Sequence, residues 1–246
     1  MGSYYLVGNF GLAIIIVTVV IRLILLPLVW PSLKSAQKIR EIQPKLNKLK
    51  EKYGSDKQGL AKAQMDLYKQ EGVNPLSGCL PQILQIVVLL LFFYGFNLVS
   101  NFFIGKESLE KINLQLIEPF KISQGFKADM SFLGSSLAVT PSAIFKQGIG
   151  INLILPIILL LGSGVLQFFS AKLMMPNPKV DTAVVKATKD KEDDIMEAMR
   201  TQSMYFMPLM TIFIGWNFSL GLLLYWFITS ALMIGQQLVV NRVNKK

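Results

Sequence analysis

Four stretches of this chain are apolar over more length than a soluble core requires: residues 8–30, 78–104, 149–171 and 204–240. A helix crosses a bilayer with about 17–25 such residues, so each of the first three fits one span. The fourth is 37 residues long and is interrupted by Asn217-Phe218-Ser219-Leu220-Gly221. Turn-forming residues there divide it into a short helix, about 204–217, and a longer one, about 220–240. The expected fold is therefore all-α, a polytopic membrane protein with five spans. Composition agrees, with 52% hydrophobic residues, 16% charged residues and a mean hydropathy of +0.47. A soluble domain of this size does not have that profile. At about 1.5 Å per residue the short helix covers only about 20 Å, so either the membrane thins around it or Ile195 to Ser203 extends it.

The basic residues assign the sides. Residues 31–77 carry ten Lys and Arg, residues 172–203 six and the tail 241–246 three, against five in residues 105–148 and none in residues 1–7. The positive-inside rule then puts the N-terminus outside and the C-terminus in the cytoplasm. The expected organisation is an external N-terminus and first span over 1–30, a basic cytoplasmic segment over 31–77 and a second span over 78–104. An external loop (105–148), a third span (149–171), a cytoplasmic loop (172–203), paired fourth and fifth spans (204–240) and a cytoplasmic tail (241–246) follow. Met1 to Gly8 holds no basic residue, so no cleavable signal peptide is expected, and the native protein has room to begin further upstream.

Within 31–77, Ile39, Ile42, Leu46, Leu49 and Tyr53 follow a 3-4-3-4 spacing among lysines, and Leu60, Ala63 and Leu67 resume it after "YGSDKQG". The pattern predicts an antiparallel helical hairpin, with Pro44 at a kink or restart. Such a hairpin is either a solvated basic loop that satisfies topology or a platform for anionic lipid, ribosomal RNA or a client chain. Residues 172–203 balance six bases with six acids and read as marginally helical.

The residue that asks for a function is Arg22, inside "IIIVTVVIRLILLPLVW". All fifteen carboxylates of the chain lie in the loops, so no span offers Arg22 an acidic partner. A charge at that depth costs about 2.5–3.5 kcal/mol on insertion scales, and a guanidinium does not escape by losing its proton. It must be hydrated, paired with lipid or facing a client. Thr18 lies one turn away on the same face. Other polar faces are Ser163, Gln167 and Ser170; Gln85, one turn beyond Pro81; and Trp226, Thr229 and Ser230. If these faces converge they line a water-filled groove open to the cytosol. By residue type Gln85, Ser163 and Ser170 fit helix packing better. Gln85 is nonetheless kept with Arg22, Thr18, Gln167 and Trp226 as the candidate binding set.

Enzyme chemistry has little to work with. The chain has no histidine and one cysteine, Cys79, which removes His-based general base catalysis, His/Cys zinc sites and an intramolecular disulfide. Cys79 reads as a small packing residue. Gly162-Ser163-Gly164 is superficially like an intramembrane serine protease but has no evident base, and no span contains an aspartate. No metal, no cofactor and no enzyme activity are expected.

Five segments together resemble the YidC/Oxa/Alb membrane protein insertases. They are "GNFGLAIIIVTVVIRLILLPL", "IQPKLNKLKEKYGSDKQ", "LYKQEGVNPLSGCLPQILQ", "ILPIILLLGSGVLQFFSAKLM" and "LGLLLYWFITSALMIGQQ", covering roughly residues 8–103 and 150–241. The loop between the second and third spans is longer than is usual in that family. Set against Gram-negative members, these residues start after the extra N-terminal span and large periplasmic domain, and no lipoprotein cysteine stands near their start. The resemblance implies five transmembrane helices around a hydrophilic groove, closed to the outside, plus the cytoplasmic helical hairpin. It places Arg22 as the groove's charge, Gln167 and Trp226 at groove-facing positions and Thr18 at a client-contacting one. It further implies insertion of nascent membrane proteins into the bacterial plasma membrane without nucleotide hydrolysis. The implied partners are those clients, the ribosome, the Sec translocon, the signal recognition particle receptor and anionic phospholipids. Two readings of another kind stand beside it: an anionic-solute transporter or channel, and a scaffold that docks ribosomes through its hairpin.

Overall fold

An apolar segment in lipid has no water to satisfy its backbone, and a helix pairs every peptide group within the segment. The computed structural model describes residues 4, 7–54, 56–74, 80–103, 105, 108–116, 118, 121–122, 129–174 and 202–243. Cys79, most of "NPLSGC" and most of the 172–203 stretch lie outside the described residues. The helices are α1 (Phe10–Glu41), α2 (Gln43–Tyr53), α3 (Lys57–Gln70), α4 (Leu80–Phe103), α5 (Leu109–Leu114), α6 (Pro141–Lys146), α7 (Ile154–Met174), α8 (Met207–Gly215) and α9 (Leu220–Val243). Two-residue strands, β1 (Ser131–Phe132) and β2 (Ser135–Ser136), are the only sheet among the described residues. The protein is an all-α, multi-pass membrane protein: α1, α4, α7 and α9 are each long and apolar enough to span. A shorter apolar helix, Met204–Gly215, ends in α8.

The first helix does not stop where its apolar run stops. It continues from Trp30 to Glu41 with Pro27 and Pro31 inside it. Proline lacks an N–H, so the carbonyls of Leu23 and Pro27 lose their i+4 donors. Burial sustains the continuation: Val29, Leu33 and Ala36, at 4-3 spacing, are all buried. One turn further on, the Arg40 guanidinium donates to the Leu173 carbonyl at the end of α7. A cation at a helix C-terminus satisfies an orphan acceptor and the helix dipole together.

The chain forms two compact units, residues 1–24, 84–166 and 209–232 in one and 25–83, 167–208 and 233–246 in the other. The second unit holds a helical hairpin in which α2 and α3 pack on each other. Pro44 stands in the first turn of α2, and the Asp56 carboxylate caps α3 by accepting from the Gly59 amide at 3.0 Å. The hairpin core is Ile42, Leu46 and Val73, with Ile39, Leu67 and Tyr68 against it, while Lys45, Lys48, Lys52, Lys62 and Lys69 are exposed. Lys45 pairs with Glu71, and that hydrogen bond holds the Glu71 carboxyl below its usual range.

The first unit is built around the start of α9. Leu220, Leu222, Leu223, Leu224 and Tyr225 are at most 3% exposed, so this stretch is enclosed on every side. Glycine allows the close approach. A Cβ at Gly221 would fall inside the Phe96 ring, and one at Gly162 would come within 2.6 Å of Phe227. The segment between α4 and α7 contributes Met130, Leu137 and Ile144 to the same core. Its backbone also closes the helix start: the Leu220 amide donates to the Val139 carbonyl (2.8 Å) and the Gly221 amide to the Leu137 carbonyl (2.9 Å). Two of the orphan donors that every helix start carries are thereby satisfied. The β1–β2 turn, Leu133-Gly134, has positive φ at both residues, 47° and 81°. That is the two-residue hairpin geometry with a leucine where asparagine or glycine is favoured.

Two outcomes follow from this packing. Gly221→Ala forces a methyl into Phe96 and is expected to cost about 1–3 kcal/mol. Gly95→Ala, where a Cβ meets nothing within 4 Å, is expected to be neutral or slightly stabilising. Thermal unfolding of the detergent-solubilised protein separates them. In the hairpin, Leu46→Ala removes a side chain that is 4% exposed and is expected to cost about 2–5 kcal/mol, read as faster trypsin cleavage at the hairpin lysines. Glu71→Gln, on an exposed pair, is expected to raise that cleavage only slightly, and most at neutral pH. The Glu71 carboxyl is held low in the folded protein, so its contribution is present at neutral pH and fades as pH falls through that lowered value.

Candidate functional site

Arg22 follows Phe10 by twelve residues, about 18 Å along α1. Its neighbours on that helix divide by face. Val20, Leu23 and Ile24 are exposed apolar residues, 47–67% accessible, whereas Thr18 is 1% exposed. Arg22 lies between these extremes, half-buried. Its Nη2 donates to Oε1 of Gln85 on α4. Gln85 in turn donates from Nε2 to the Tyr225 hydroxyl on α9 at 3.2 Å. Three helices of the first unit thus meet through one polar chain, guanidinium to amide to phenol.

The far end of the chain is fixed by packing. Tyr225 is 1% exposed, and its ring stacks on Phe92 with centroids 4.3 Å apart and planes 14° from parallel. Phe92 stacks in turn on Phe96, at 6.0 Å and 13°. A rigid aromatic column therefore holds the phenol, the phenol holds the amide, and the amide directs the guanidinium. Among the described residues no carboxylate pairs with Arg22. A guanidinium has five N–H donors in a planar fork, suited to two-point contact with a carboxylate or phosphate. Gln85 leaves its charge in place.

The other sequence-derived residues divide. Thr18 spends its hydroxyl on the Ile14 carbonyl at 2.7 Å, so its share here is packing. Ser163 and Ser230 do likewise, donating to Leu159 and Trp226 carbonyls at 2.6 and 2.9 Å. Trp226 is half-buried, with its ring 6.1 Å from Phe218. Gln167 is half-buried on α7 and belongs to the second unit. Gln85, which residue type assigned to packing, is the side chain that contacts Arg22. Tyr225 is the member of this polar chain that sequence reasoning passed over. One signal was available: a buried tyrosine hydroxyl requires a polar partner, and the spans offer few.

The comparisons with known proteins address the whole chain. The family described as 60Kd inner membrane protein matches residues 2–246. A protein named membrane protein insertase YidC from Pelobacter propionicus is 32% identical over 241 residues, covering 98% of this chain and 36% of that protein. The protein of the same name from Rickettsia bellii is 31% identical over 246 residues, 98% of this chain and 37% of the relative. The one from Dinoroseobacter shibae is 34% identical over 240 residues, 96% and 34% respectively. The chain thus spans about a third of the length of these relatives. With its family pattern matched from end to end and its apolar helices in place, this chain belongs to the 60Kd inner membrane protein family, that of the YidC insertases.

Proposed function

We propose that the chain is the inserting core of a membrane protein insertase in the bacterial plasma membrane. The observation that carries this reading is the partner of Arg22: a neutral amide orients the guanidinium and leaves its charge for something that arrives. In the proposed arrangement the N-terminus is outside and the C-terminus cytoplasmic. Five spans, with Met204–Gly215 as the short fourth, surround a hydrophilic groove that admits water from the cytosol. Arg22, Gln85 and Trp226 line it, Thr18 shapes it, and the basic hairpin is cytoplasmic.

The physical task is the passage of a short polar segment of a nascent membrane protein. Crossing hydrocarbon unaided strips that segment of its hydration. A half-solvated groove reduces the cost, and a positive charge within it attracts acidic residues more strongly than the same charge at the surface, because the local dielectric is lower. The client's apolar segment then moves sideways into lipid, driven by its own burial, so neither nucleotide hydrolysis nor a covalent step is needed. The names of the relatives, membrane protein insertase, agree with this reading. Ribosome, Sec translocon, signal recognition particle receptor and anionic phospholipid are the proposed partners of the hairpin and the membrane face.

The test is insertion of a small single-span client with an acidic external tail into vesicles holding the purified protein and no nucleotide. Arg22→Ala is expected to slow insertion about tenfold, equivalent to about 1.4 kcal/mol, with Arg22→Lys intermediate. Wild-type insertion by Arg22→Ala overturns the charge mechanism, and flux of a small anion through the same vesicles favours a transporter. Gln85→Glu places a carboxylate where the amide stands and is expected to match Arg22→Ala, because the charge is then neutralised from within. Tyr225→Phe removes only the acceptor that steadies Gln85, worth about 0.5–1.5 kcal/mol, and is expected to reduce insertion severalfold for acidic tails and little for neutral ones.

A further inference from the structure

The connection between α4 and α7 holds an anomaly that the insertase reading does not use. Leu133, at the tip of the β1–β2 turn, has φ of 47° and is 76% exposed. Left-handed backbone disfavours a leucine, and water disfavours its exposed side chain. Both penalties fall on one residue at a position where asparagine or glycine would incur neither. An exposed, strained apolar residue points to surroundings that favour the side chain.

The rest of the connection identifies those surroundings. The hairpin is pinned where α1 begins its apolar run: Asn9 donates to the Ser131 carbonyl at 3.2 Å, and Phe132 lies against Gly11. Helix α6 is pinned at the end of α8, its Ser142 amide donating to the Trp216 carbonyl at 3.1 Å and its Phe145 ring edge-on to Trp216 at 5.7 Å. Both pins lie at ends of apolar helices, the depth at which a bilayer changes from headgroup to hydrocarbon. Beyond α6, past exposed Lys146 and Gln147, exposed apolar side chains recur at Ile149 (87%) and Ile151 (85%) and lead into Ile154 and Ile158 on α7. The α7 face is one that lipid covers in a spanning helix, so these side chains continue an existing lipid contact.

We propose that residues 129–153 of this connection form a lipid-immersed collar: Leu133, Phe145, Ile149 and Ile151 insert among the phospholipid chains of the leaflet they border, with Lys146 at the headgroups. The occupant is phospholipid. The collar anchors the segment that caps the start of α9, and it does so whether or not the chain inserts clients.

Single cysteines at 133, 136 and 149 in a Cys79→Ser background, labelled with an environment-sensitive fluorophore, test this in phosphatidylcholine–phosphatidylglycerol vesicles. Position 149 reports the end of a span, and exposed Ser136 reports water. The expected result is that Leu133→Cys resembles position 149, with blue-shifted emission, severalfold weaker iodide quenching than position 136, and quenching by shallow nitroxide lipids. Emission and iodide access at 133 equal to those at 136 overturn the proposal, even if 149 is shielded. Shielding of 133 that disappears as protein is diluted in lipid also overturns it, because the occupant is then a second copy. Hydroxyl-radical footprinting of the unaltered protein in the same vesicles asks the question without substitution: Leu133 is expected to stay unmodified, and its oxidation counts against the collar.

Discussion

A permanent positive charge held inside the thickness of a membrane organises this protein. Arg22 does not become neutral, and no span supplies an acid to pair with it. The structure answers with a relay of neutral groups, Gln85 and then Tyr225, whose far end is locked in an aromatic stack. The helices that carry the relay, α1, α4 and α9, are therefore tied at the depth where lipid gives helix association the least hydrophobic help. Close packing supplies the remainder, through glycines such as Gly221 that admit the Phe96 ring.

The same helix that presents Tyr225 is closed at its start by a segment distant in sequence. Residues 129–146 accept the first amides of α9 and send Leu137 and Ile144 into the core beneath. This segment is thus a structural part of the first unit rather than a passive connection. Its order constrains Tyr225 indirectly, since that ring lies little more than one turn from the capped end. The hairpin is organised differently. Among the described residues its buried core is Ile42, Leu46 and Val73, with exposed lysines around it, so its stability is local and modest.

The sequence made some of this legible and withheld the rest for identifiable reasons. Span existence was readable because hydrocarbon thickness sets a length that Ile14–Trp30 or Leu80–Phe103 meets on composition alone. The α2–α3 pairing was readable from Ile42, Leu46 and Leu67, whose spacing survives the lysines around them. The extension of α1 to Glu41 was not, because Pro27 and Pro31 argue locally for a break, and the burial of Val29, Leu33 and Ala36 that outweighs them is tertiary. The order of residues 129–146 was hidden for a similar reason: it rests on backbone hydrogen bonds, which have no side-chain signature. In the candidate site Arg22 announced itself by cost. Gln85 did not, because an isolated glutamine in a span looks the same whether it glues helices or directs a cation. Tyr225 was overshadowed by Trp226, which shares a face with Thr229 and Ser230 and so fitted the polar pattern better.

The choice of an amide beside Arg22 follows from what each alternative would do. A glutamate would form a partly buried ion pair, well satisfied and electrically closed, with no field left to attract an incoming acid. An apolar residue would leave the guanidinium unsupported and free to swing toward either membrane surface. Glutamine is the side chain of this size that accepts from the cation with one end and donates to a phenol with the other. It fixes direction and preserves charge at once. Under the proposed function capture is favourable, because a carboxylate that displaces the amide oxygen gains a charge-assisted bond while Gln85 keeps its contact with Tyr225, and the amide takes the guanidinium back when the client leaves. Under the proposed function, a site built this way engages a passing acidic residue and then lets it go without any change in the protein's own ionisation.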